Sequence, residues 1–240
     1  VSFGTPVVYK AARTDPNAIT FDSNSNKVVI AFCDRGNSNR GTAVVGTVNP
    51  ANNSITFGTP VVFTTGATTT VQGISITFDS NSNKVVIAYR NQSNSNYGEA
   101  IVGTVSGTNI SFGNAVVYRS ATVGIIDITF DSNSNKVVIV NWNAANNSYG
   151  EAIVGTVSGT SISFGSAVVY ESAYSTANSI AFDSDSNKIV IAYRDNGNSN
   201  YGTAIVGTVS GTSISFGTPV IFNNAGTTPV IDIAYYASAG

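Results

Sequence analysis

Apolar residues along this chain occur in short runs separated by clusters of Asn, Ser, Gly and Thr. Runs such as VVIA and AIVG are apolar at successive positions, whereas a sheet with one solvated face would alternate apolar and polar residues. Val, Ile, Thr, Phe and Tyr, which favour strands, dominate these runs. The pattern therefore predicts short β-strands that are covered on both faces.

The strand pattern repeats along the chain. The sequence FDSNSNKVVI, or a close variant of it, begins at four places spaced by 57, 52 and 52 residues: Phe21, Phe78, Phe130 and Phe182. Two further markers, S/T-F-G and G-T/E-A-I/V-V-G-T-V, recur with it. Each copy has the length of one supersecondary unit. We number these units one to four: residues 17–63, 73–119, 125–171 and 177–223.

Each unit predicts four strands. In unit one, a D-S-N-S-N turn joins strand one, residues 19–21, to strand two, residues 27–32. Strand three, residues 42–48, follows a loop rich in Asn, Ser and Gly. Strand four is clearest in unit three, as residues 161–170. Because every connection is short, neighbouring strands are predicted to be antiparallel.

Small four-stranded sheets packed face to face around an axis would cover both faces of such strands. We therefore predict an all-β fold, a β-propeller with blades of 52 residues, as one domain over residues 1–240. Isolated terminal strands are predicted at 1–10 (a strand four) and 229–236 (a strand one). Three arrangements stay open: a five-position ring, which we favour, a four-bladed ring with extra terminal strands, and a segment of a longer array.

Composition limits the chemistry. The chain has no His, Leu or Met, and without His neither a Ser/His/Asp nor a Cys/His site can be built. Its single Cys, Cys33, cannot form an internal disulfide or a Cys-based zinc site, and we interpret it as inert. Scattered charges of both signs, 11 basic and 13 acidic, predict no nucleic-acid surface. The apolar runs are too short for membrane insertion.

Residues 182–195, FDSDSNKIVIAYRD, and their three counterparts resemble blades of sialidase-like and lectin-type propellers. Residues 201–222, YGTAIVGTVSGTSISFGTPVIF, are similar to tandem repeats of marine phage structural, tail-associated proteins and of marine bacterial surface proteins. The resemblance implies a binding or structural module outside the cytoplasm and carries over no catalytic residue. The sialidase Asp-box is absent, which argues against sialidase activity.

The loops after strand two, here called the rim loops, have equal length and the most variable sequence: residues 33–40, 90–97, 142–149 and 194–201. They therefore present corresponding positions on one rim. Aromatic faces and planar donors at these positions would suit a sugar, by stacking and by forked hydrogen bonds. The candidate ligand-binding residues are Arg90, Trp142, Arg194, Asn91, Asn143, Asp195, Tyr97, Tyr149 and Tyr201. The alternative is solvated loops whose aromatic residues pack between blades.

The turn between strands one and two opens with an Asp in every unit: Asp22, Asp79, Asp131 and Asp183. The D-x-N-x-N spacing resembles the start of a calcium loop, which leaves a calcium site as an alternative. Calcium needs about six to eight oxygen ligands, usually with a bidentate carboxylate, and no Glu follows at the twelfth position. We therefore interpret these residues as turn formers and predict neither a metal site nor a cofactor.

Four other carboxylates stand at repeat positions that the remaining units fill with neutral residues. Glu99 and Glu151 take one such position, and Asp127 and Asp232 take another. If strand one is innermost, Asp127 and Asp232 would face the central channel. A glycosidase needs two carboxylates about 5–10 Å apart, so this pair is a remote catalytic candidate. The alternative is a pair of polar residues bonded to backbone or water.

The near-identical units, the scarcity of charge and the lack of a catalytic constellation lead us to predict a non-enzymatic extracellular module. It would be a structural or adhesive component of a virion or cell surface that makes multivalent contacts with a protein or glycan surface. A homo-oligomer or a larger assembly is compatible with this role. A lectin that uses the rim loops is the first alternative, and a glycosidase is the remote one.

Overall fold

The protein is all-β. A computed structural model describes residues 3–67, 73–226 and 230–236. Within them, the only helical segments are two short 3-10 turns, Gln92–Asn94 and Ala144–Asn146. Paired strands run antiparallel, as predicted. No helix in the described residues is long and apolar enough to cross a membrane.

The strands follow the repeat. Unit one contains β1 (Thr14–Asp22), β2 (Lys27–Asp34), β3 (Arg40–Asn49), β4 (Ser54–Phe57) and β5 (Val61–Ala67). Unit two contains β6 (Ile74–Asp79), β7 (Lys84–Asn91), β8 (Tyr97–Ser106) and β9 (Asn109–Phe112), and it shares β10 (Val116–Asp131) with unit three. Unit three continues with β11 (Lys136–Asn143), β12 (Tyr149–Ser158) and β13 (Ser161–Phe164), and it shares β14 (Val168–Asp183) with unit four. Unit four ends with β15 (Lys188–Asp195), β16 (Tyr201–Ser210), β17 (Ser213–Phe216) and β18 (Val220–Asn223).

Strand four is two short strands rather than the single strand predicted over residues 161–170. In unit three, β13 ends at Phe164 and β14 begins at Val168, and both pair with β12. The break coincides with the S/T-F-G glycine. A Cβ atom on Gly165 would lie 1.9 Å from the carbonyl oxygen of Thr212 in the following unit. The glycine is therefore needed where successive units make backbone contact.

The predicted gap between one unit's strand four and the next unit's strand one is absent at two junctions. There, β10 and β14 each run for 16 residues and pair with strand three of one unit and with strand two of the next. Their sequences hold no Pro and a single Gly, Gly124, so little interrupts the extended backbone. Bulges, such as the one between Gly124 and Asp127, bend the strand where it passes from one unit to the next.

The hydrophobic core lies between successive units. Three clusters of buried residues each combine two neighbouring units: one and two, two and three, three and four. Along β7, Ile87 packs against unit one and its neighbour Val86 against unit three. This explains why strand two is apolar at successive positions. Each such Val or Ile contributes about 1.5–3 kcal/mol by leaving water.

The two chain ends are not the strands that the sequence predicted. Residues 3–10 and 230–236, which are the described parts of the predicted strands 1–10 and 229–236, form no regular strand. Strand structure needs ladder partners, and the described part of the chain pairs none with these ends. Their side chains still dock, because Tyr9 packs edge-on against Phe32 with ring centroids 5.3 Å apart.

The first strands of successive units lie side by side: β1 contacts β6, β6 contacts β10, and β10 contacts β14. The strands form two sheets that do not close into a ring within the described residues. The all-β fold is confirmed, whereas the five-position ring and the division into 52-residue blades stay predictions.

Candidate functional site

A cavity of about 490 Å³ lies where the first strands meet. Its wall includes one corresponding residue from each unit and one from the C-terminal segment: Pro16, Gly73, Ile125, Ala177 and Val230. Strand one begins beside the end of strand two in each antiparallel pair. The cavity therefore lies at the end of the units that carries the rim loops.

Unit four supplies a cationic wall to this cavity through Arg194. The Arg194 Nε atom donates to Thr176 Oγ1 at 2.8 Å and to Asn196 Oδ1 at 3.2 Å. These bonds hold the guanidinium plane in place. No hydrogen bond within the described residues engages its two Nη groups, so a planar pair of donors remains for a ligand.

Asn178 places an unpaired donor at the same wall. Its Oδ1 atom accepts from Ser175 Oγ at 2.7 Å. Its Nδ2 atom is shielded from solvent and has no hydrogen-bond partner among the described residues. A buried donor without a partner costs about 1–3 kcal/mol, so an acceptor brought in by a ligand would be stabilised here.

An exposed aromatic residue completes the wall. Tyr174 lines the cavity and is 44% exposed. The half-buried Trp142 packs edge-on to Tyr174, with ring centroids 6.0 Å apart, and fills the space above Gly124. Trp142 therefore supports Tyr174, which presents the exposed ring.

Two wall residues have strained backbones. Ile125 and Ala177 have φ values of +48° and +52°, in the left-handed region that side chains with a Cβ avoid. This conformation costs roughly 1–2 kcal/mol per residue. Both lie in the bulges that precede the Asp127 position. Such strain is typical of sites where the backbone shape serves a ligand.

Asp127 ties three units together behind the cavity wall. Its Oδ1 atom accepts from Ser75 Oγ at 2.8 Å and from the Ile128 amide at 2.9 Å. Its Oδ2 atom accepts from Ser179 Oγ at 3.1 Å and from the Ile180 amide at 3.0 Å. Burial raises the pKa of Asp127, and the four hydrogen bonds offset that rise only in part.

The structure also brings Asp232 close to Asp127, although the two are far apart in sequence. The Ser179 Oγ atom lies 3.5 Å from Asp232 Oδ1 as well as 3.1 Å from Asp127 Oδ2. The two carboxylate oxygens are therefore less than about 7 Å apart, which does not exceed the separations that glycosidases use. Asp232 is exposed, whereas Asp127 is half-buried.

Three of the predicted rim residues build the rim loops themselves. Each uses a side-chain oxygen to accept from the backbone amide two positions on, at 2.9–3.0 Å: Asn91, Asn143 and Asp195. The amide groups of Asn91 and Asn143 additionally donate to Glu99 and Glu151. These atoms are thus already committed to the loops.

The remaining rim residues do not line the cavity. Arg90 donates from Nη1 to the Val123 carbonyl at 3.2 Å, which links unit two to unit three. Burial lowers its pKa. Three half-buried tyrosines begin strand three of their units: Tyr97, Tyr149 and Tyr201. Their part in ligand binding stays a prediction.

The Asp residues of the D-S-N-S-N turns form the turns, which confirms that interpretation. Asp131 Oδ1 accepts from the Asn133 and Ser134 amides at 2.9 and 3.0 Å, and its Oδ2 accepts from Ser134 Oγ at 2.7 Å. The same three bonds recur at the equivalent residues: Asp22, Asp79 and Asp183. Across the described ranges, no group of three or more His, Cys, Asp or Glu residues could hold a metal ion.

Sequence reasoning found Arg194 but missed Tyr174, Thr176 and Asn178. All three lie in the segment between strand four of one unit and strand one of the next, whereas the predicted candidates came from the loops after strand two. A signal was present, because this segment differs between junctions as strongly as the rim loops do: residues 119–126 read RSATVGII and residues 171–178 read ESAYSTAN. Where copies of a repeat differ locally, the residues there do not all have to make the same packing contacts.

No protein-family model matches the sequence, and no curated protein matches it. Among solved structures, the chain is similar to an exo-beta-1,3-galactanase from Phanerochaete chrysosporium with beta-1,3-galactotriose, with a TM-score of 0.53 and 7% identity. The similarity covers 92% of this chain but only 52% of the galactanase. A triple arginine-to-alanine mutant of AofleA from Arthrobotrys oligospora matches with a TM-score of 0.41, 9% identity and coverages of 92% and 74%.

The galactanase likeness is one of fold, and it fits the predicted β-propeller class. It contradicts the prediction that the chain is not an enzyme, because a glycosidase has this fold. The absence of His was given too much weight, since glycosidases work with two carboxylates. The predicted resemblance to phage and marine bacterial proteins receives no support from these comparisons.

Proposed function

We propose that this protein binds carbohydrate in the cavity at the meeting point of its first strands. The observation that carries the proposal is the unpaired Asn178 Nδ2 donor at the cavity wall. Beside it stand the Arg194 guanidinium and the exposed Tyr174 ring. Sugars are held by stacking on aromatic faces and by forked donors to their hydroxyls. The cavity volume lies within the ~300–1,000 Å³ of small-molecule sites.

The proposal includes the five-position ring. Five corresponding residues contribute to one cavity wall, the last of them Val230 in the C-terminal segment. Asp232 takes the place of Asp127 in that fifth position and reaches Ser179 of unit four. A propeller closed by both chain ends would enclose the cavity on all sides.

The proposal extends to the location of the protein and to its self-association. We infer an extracellular or surface location, where an adhesive role on glycans would add up several weak contacts. Self-association into a homo-oligomer or surface assembly would multiply such contacts. Detection of the protein outside the cell and a concentration-dependent mass in solution are the measurements that test these two points.

The test is a glycan array that includes β-1,3-linked galactose oligomers, followed by calorimetric titration of any ligand found. Tyr174→Ala should weaken binding by roughly tenfold or more, because the stacking surface is lost. Arg194→Lys should weaken it similarly, since Lys cannot form a planar fork. Arg90→Lys is the matched control and should leave affinity unchanged.

Three outcomes contradict the proposal. The first is an array without a ligand at millimolar sugar. The second is wild-type affinity in the double variant Trp142→Ala, Arg194→Ala. The third is weakening by Arg90→Lys alone, which would move the site from the cavity to the rim of unit two.

A glycosidase is the second candidate, favoured by the approach of Asp127 and Asp232 to one hydroxyl. The raised pKa of Asp127 suits a general acid, and the exposed Asp232 suits a nucleophile or base. Asp127→Asn should abolish hydrolysis of aryl β-galactosides or galactose oligomers while leaving binding in place. Unchanged turnover in this variant, or no hydrolysis by the wild type, removes the candidate.

A further inference from the structure

One position in strand four lies at the junction with the next unit. It directly follows the aromatic residue of that strand, and the chain fills it with different side chains at four junctions: Lys10, Thr64, Arg119 and Glu171. Across the junction stand the acidic or amide residues that open the rim loop and strand three of the following unit. The junctions thus have corresponding backbone positions but carry side chains of different charge.

Two junctions are closed by ion pairs. Lys10 Nζ lies 2.7 Å from Asp34 Oδ2, and that carboxylate is 2% exposed. Arg119 Nη2 pairs with Glu151 Oε2, and the Glu151 side chain is 5% exposed. The N-terminal segment supplies the cation in the first case and unit two in the second, and each cation meets a buried carboxylate of the unit that follows. A buried carboxylate is stabilised by such a cation because its charge is then balanced.

The junction between units one and two has the carboxylate without the cation. Glu99 is the counterpart of Glu151 and is 5% exposed. Thr64 stands where Arg119 stands one junction later, and its Oγ1 atom accepts from the Gly41 amide at 2.8 Å within its own sheet. Among the described residues, no Lys or Arg forms an ion pair with Glu99.

The short Thr64 side chain leaves a cavity of about 310 Å³ at this junction. Glu99 lines this cavity together with the aromatic residues Phe63 and Tyr89. Those two rings lie 5.4 Å apart between centroids. An acidic group flanked by aromatic rings attracts cations through both its charge and the ring faces.

Neutral donors already orient Glu99. Its Oε2 atom accepts from Tyr89 Oη at 2.8 Å and Asn91 Nδ2 at 2.9 Å, and its Oε1 atom accepts from Asn94 Nδ2 at 2.7 Å. Glu151 is oriented by two Asn side chains and takes Arg119 at its Oε2 atom, whereas Glu99 accepts from Tyr89 Oη at the corresponding atom. Glu99 therefore keeps the two Asn donors that orient Glu151, but its donors are all neutral and leave its charge unbalanced.

We propose that the cavity beside Thr64 and Glu99 is a binding site for a small guanidinium-bearing ligand, whose cation takes the place that Arg119 fills beside Glu151. A planar guanidinium matches the carboxylate and can stack on the aromatic wall. The site is separate from the carbohydrate cavity, and it stands whether or not that cavity binds sugar.

The experiment is a titration of the full-length protein with methylguanidinium chloride at millimolar concentration, followed by two-dimensional NMR and by thermal unfolding. Sodium chloride at the same ionic strength is the salt control. The wild type should show saturable shifts from one site and a rise in melting temperature that follows ligand concentration.

Reciprocal variants test the position. Thr64→Arg supplies the cation from the chain, so it should melt higher than the wild type and bind methylguanidinium roughly tenfold more weakly or worse. Arg119→Thr copies the open junction, so it should melt lower, gain a second saturable site and recover stability with the ligand. Thr64→Ser keeps the hydroxyl and should bind as the wild type does.

Glu99→Gln provides a readout if Thr64→Arg does not fold, because it removes the charge while keeping the shape, and it should abolish saturable binding. The proposal is overturned if the wild type responds equally to sodium chloride. It is also overturned if Glu99→Gln binds with wild-type affinity, or if folded Arg119→Thr gains no second site.

Discussion

The glycine of the S/T-F-G marker offers a test of the stacking of units with an internal control. A Cβ atom on Gly165 would meet the Thr212 carbonyl oxygen at 1.9 Å, whereas one on Gly217 would find its nearest neighbour at 3.8 Å. Gly217 belongs to unit four, and within the described residues no backbone of another unit packs against it. The two glycines thus share their local sequence and differ in what is packed on them.

Real Cβ atoms essentially never lie under 3.0 Å from another atom, so Gly165→Ala must separate two backbones by roughly 1 Å. Overpacking costs about 1–3 kcal/mol, and the upper end applies because neither backbone is a flexible side chain. Gly217→Ala should instead stabilise the fold by about 0.4–1 kcal/mol through the unfolded chain.

The assay is thermal unfolding followed by circular dichroism, with urea unfolding to obtain the free energy. For a chain of this size, about 3 kcal/mol corresponds to a melting temperature roughly 6–12 °C lower in Gly165→Ala. Gly113→Ala repeats the test, since its Cβ would meet Thr160 at the same 1.9 Å. Equal melting temperatures for the Gly165 and Gly217 variants would refute the backbone contact between units.

Two further predictions concern acidic residues. Asp131→Ala removes three hydrogen bonds made by a buried carboxylate and should lower the free energy of unfolding by about 1–3 kcal/mol in urea. The same change at the more exposed Asp183 should cost clearly less, and equal losses would contradict this. Burial, with a contribution from Asp195, raises the pKa of Glu171. The protonated carboxyl group therefore stabilises the folded state. This stabilisation is complete below the pKa of the unfolded chain and is lost as the pH rises through the pKa of the folded state. Glu171→Gln should therefore gain melting temperature relative to the wild type between about pH 4 and pH 7, and a constant difference would count against the assignment.

Much of the fold could be predicted because its determinants are local. Strand two is apolar on successive residues, and the structure buries Val86 and Ile87 on opposite sides of one sheet. The Asp131 turn could be predicted because all its partners lie within three residues. Composition was weighed too heavily at one point: the lack of His counted against an enzyme, and the likeness to the galactanase fold contradicts the prediction of a non-enzyme.

The candidate site could be predicted only in part. Arg194 was found because its rim position recurs in every unit, but Asn178 and Tyr174 lie in a segment that has no common pattern. Asn91 caps its own loop and lines the cavity beside Glu99 rather than the one beside Arg194, and its part in ligand binding stays a prediction. An Asn side chain can therefore cap a loop, as Asn91 does, or line the cavity beside Arg194, as Asn178 does, and the backbone position decides which.

The sequence by itself determined the repeat, the antiparallel strands and the turns, because each depends on residues that are close along the chain. Only the tertiary structure decided which side chains meet across units. Glu99 and Glu151 have almost the same local sequence. Glu151 nevertheless pairs with Arg119, whereas Glu99 lines a cavity beside Thr64. That difference arises because each junction is completed by the preceding unit, 32 residues away for Arg119 and Glu151.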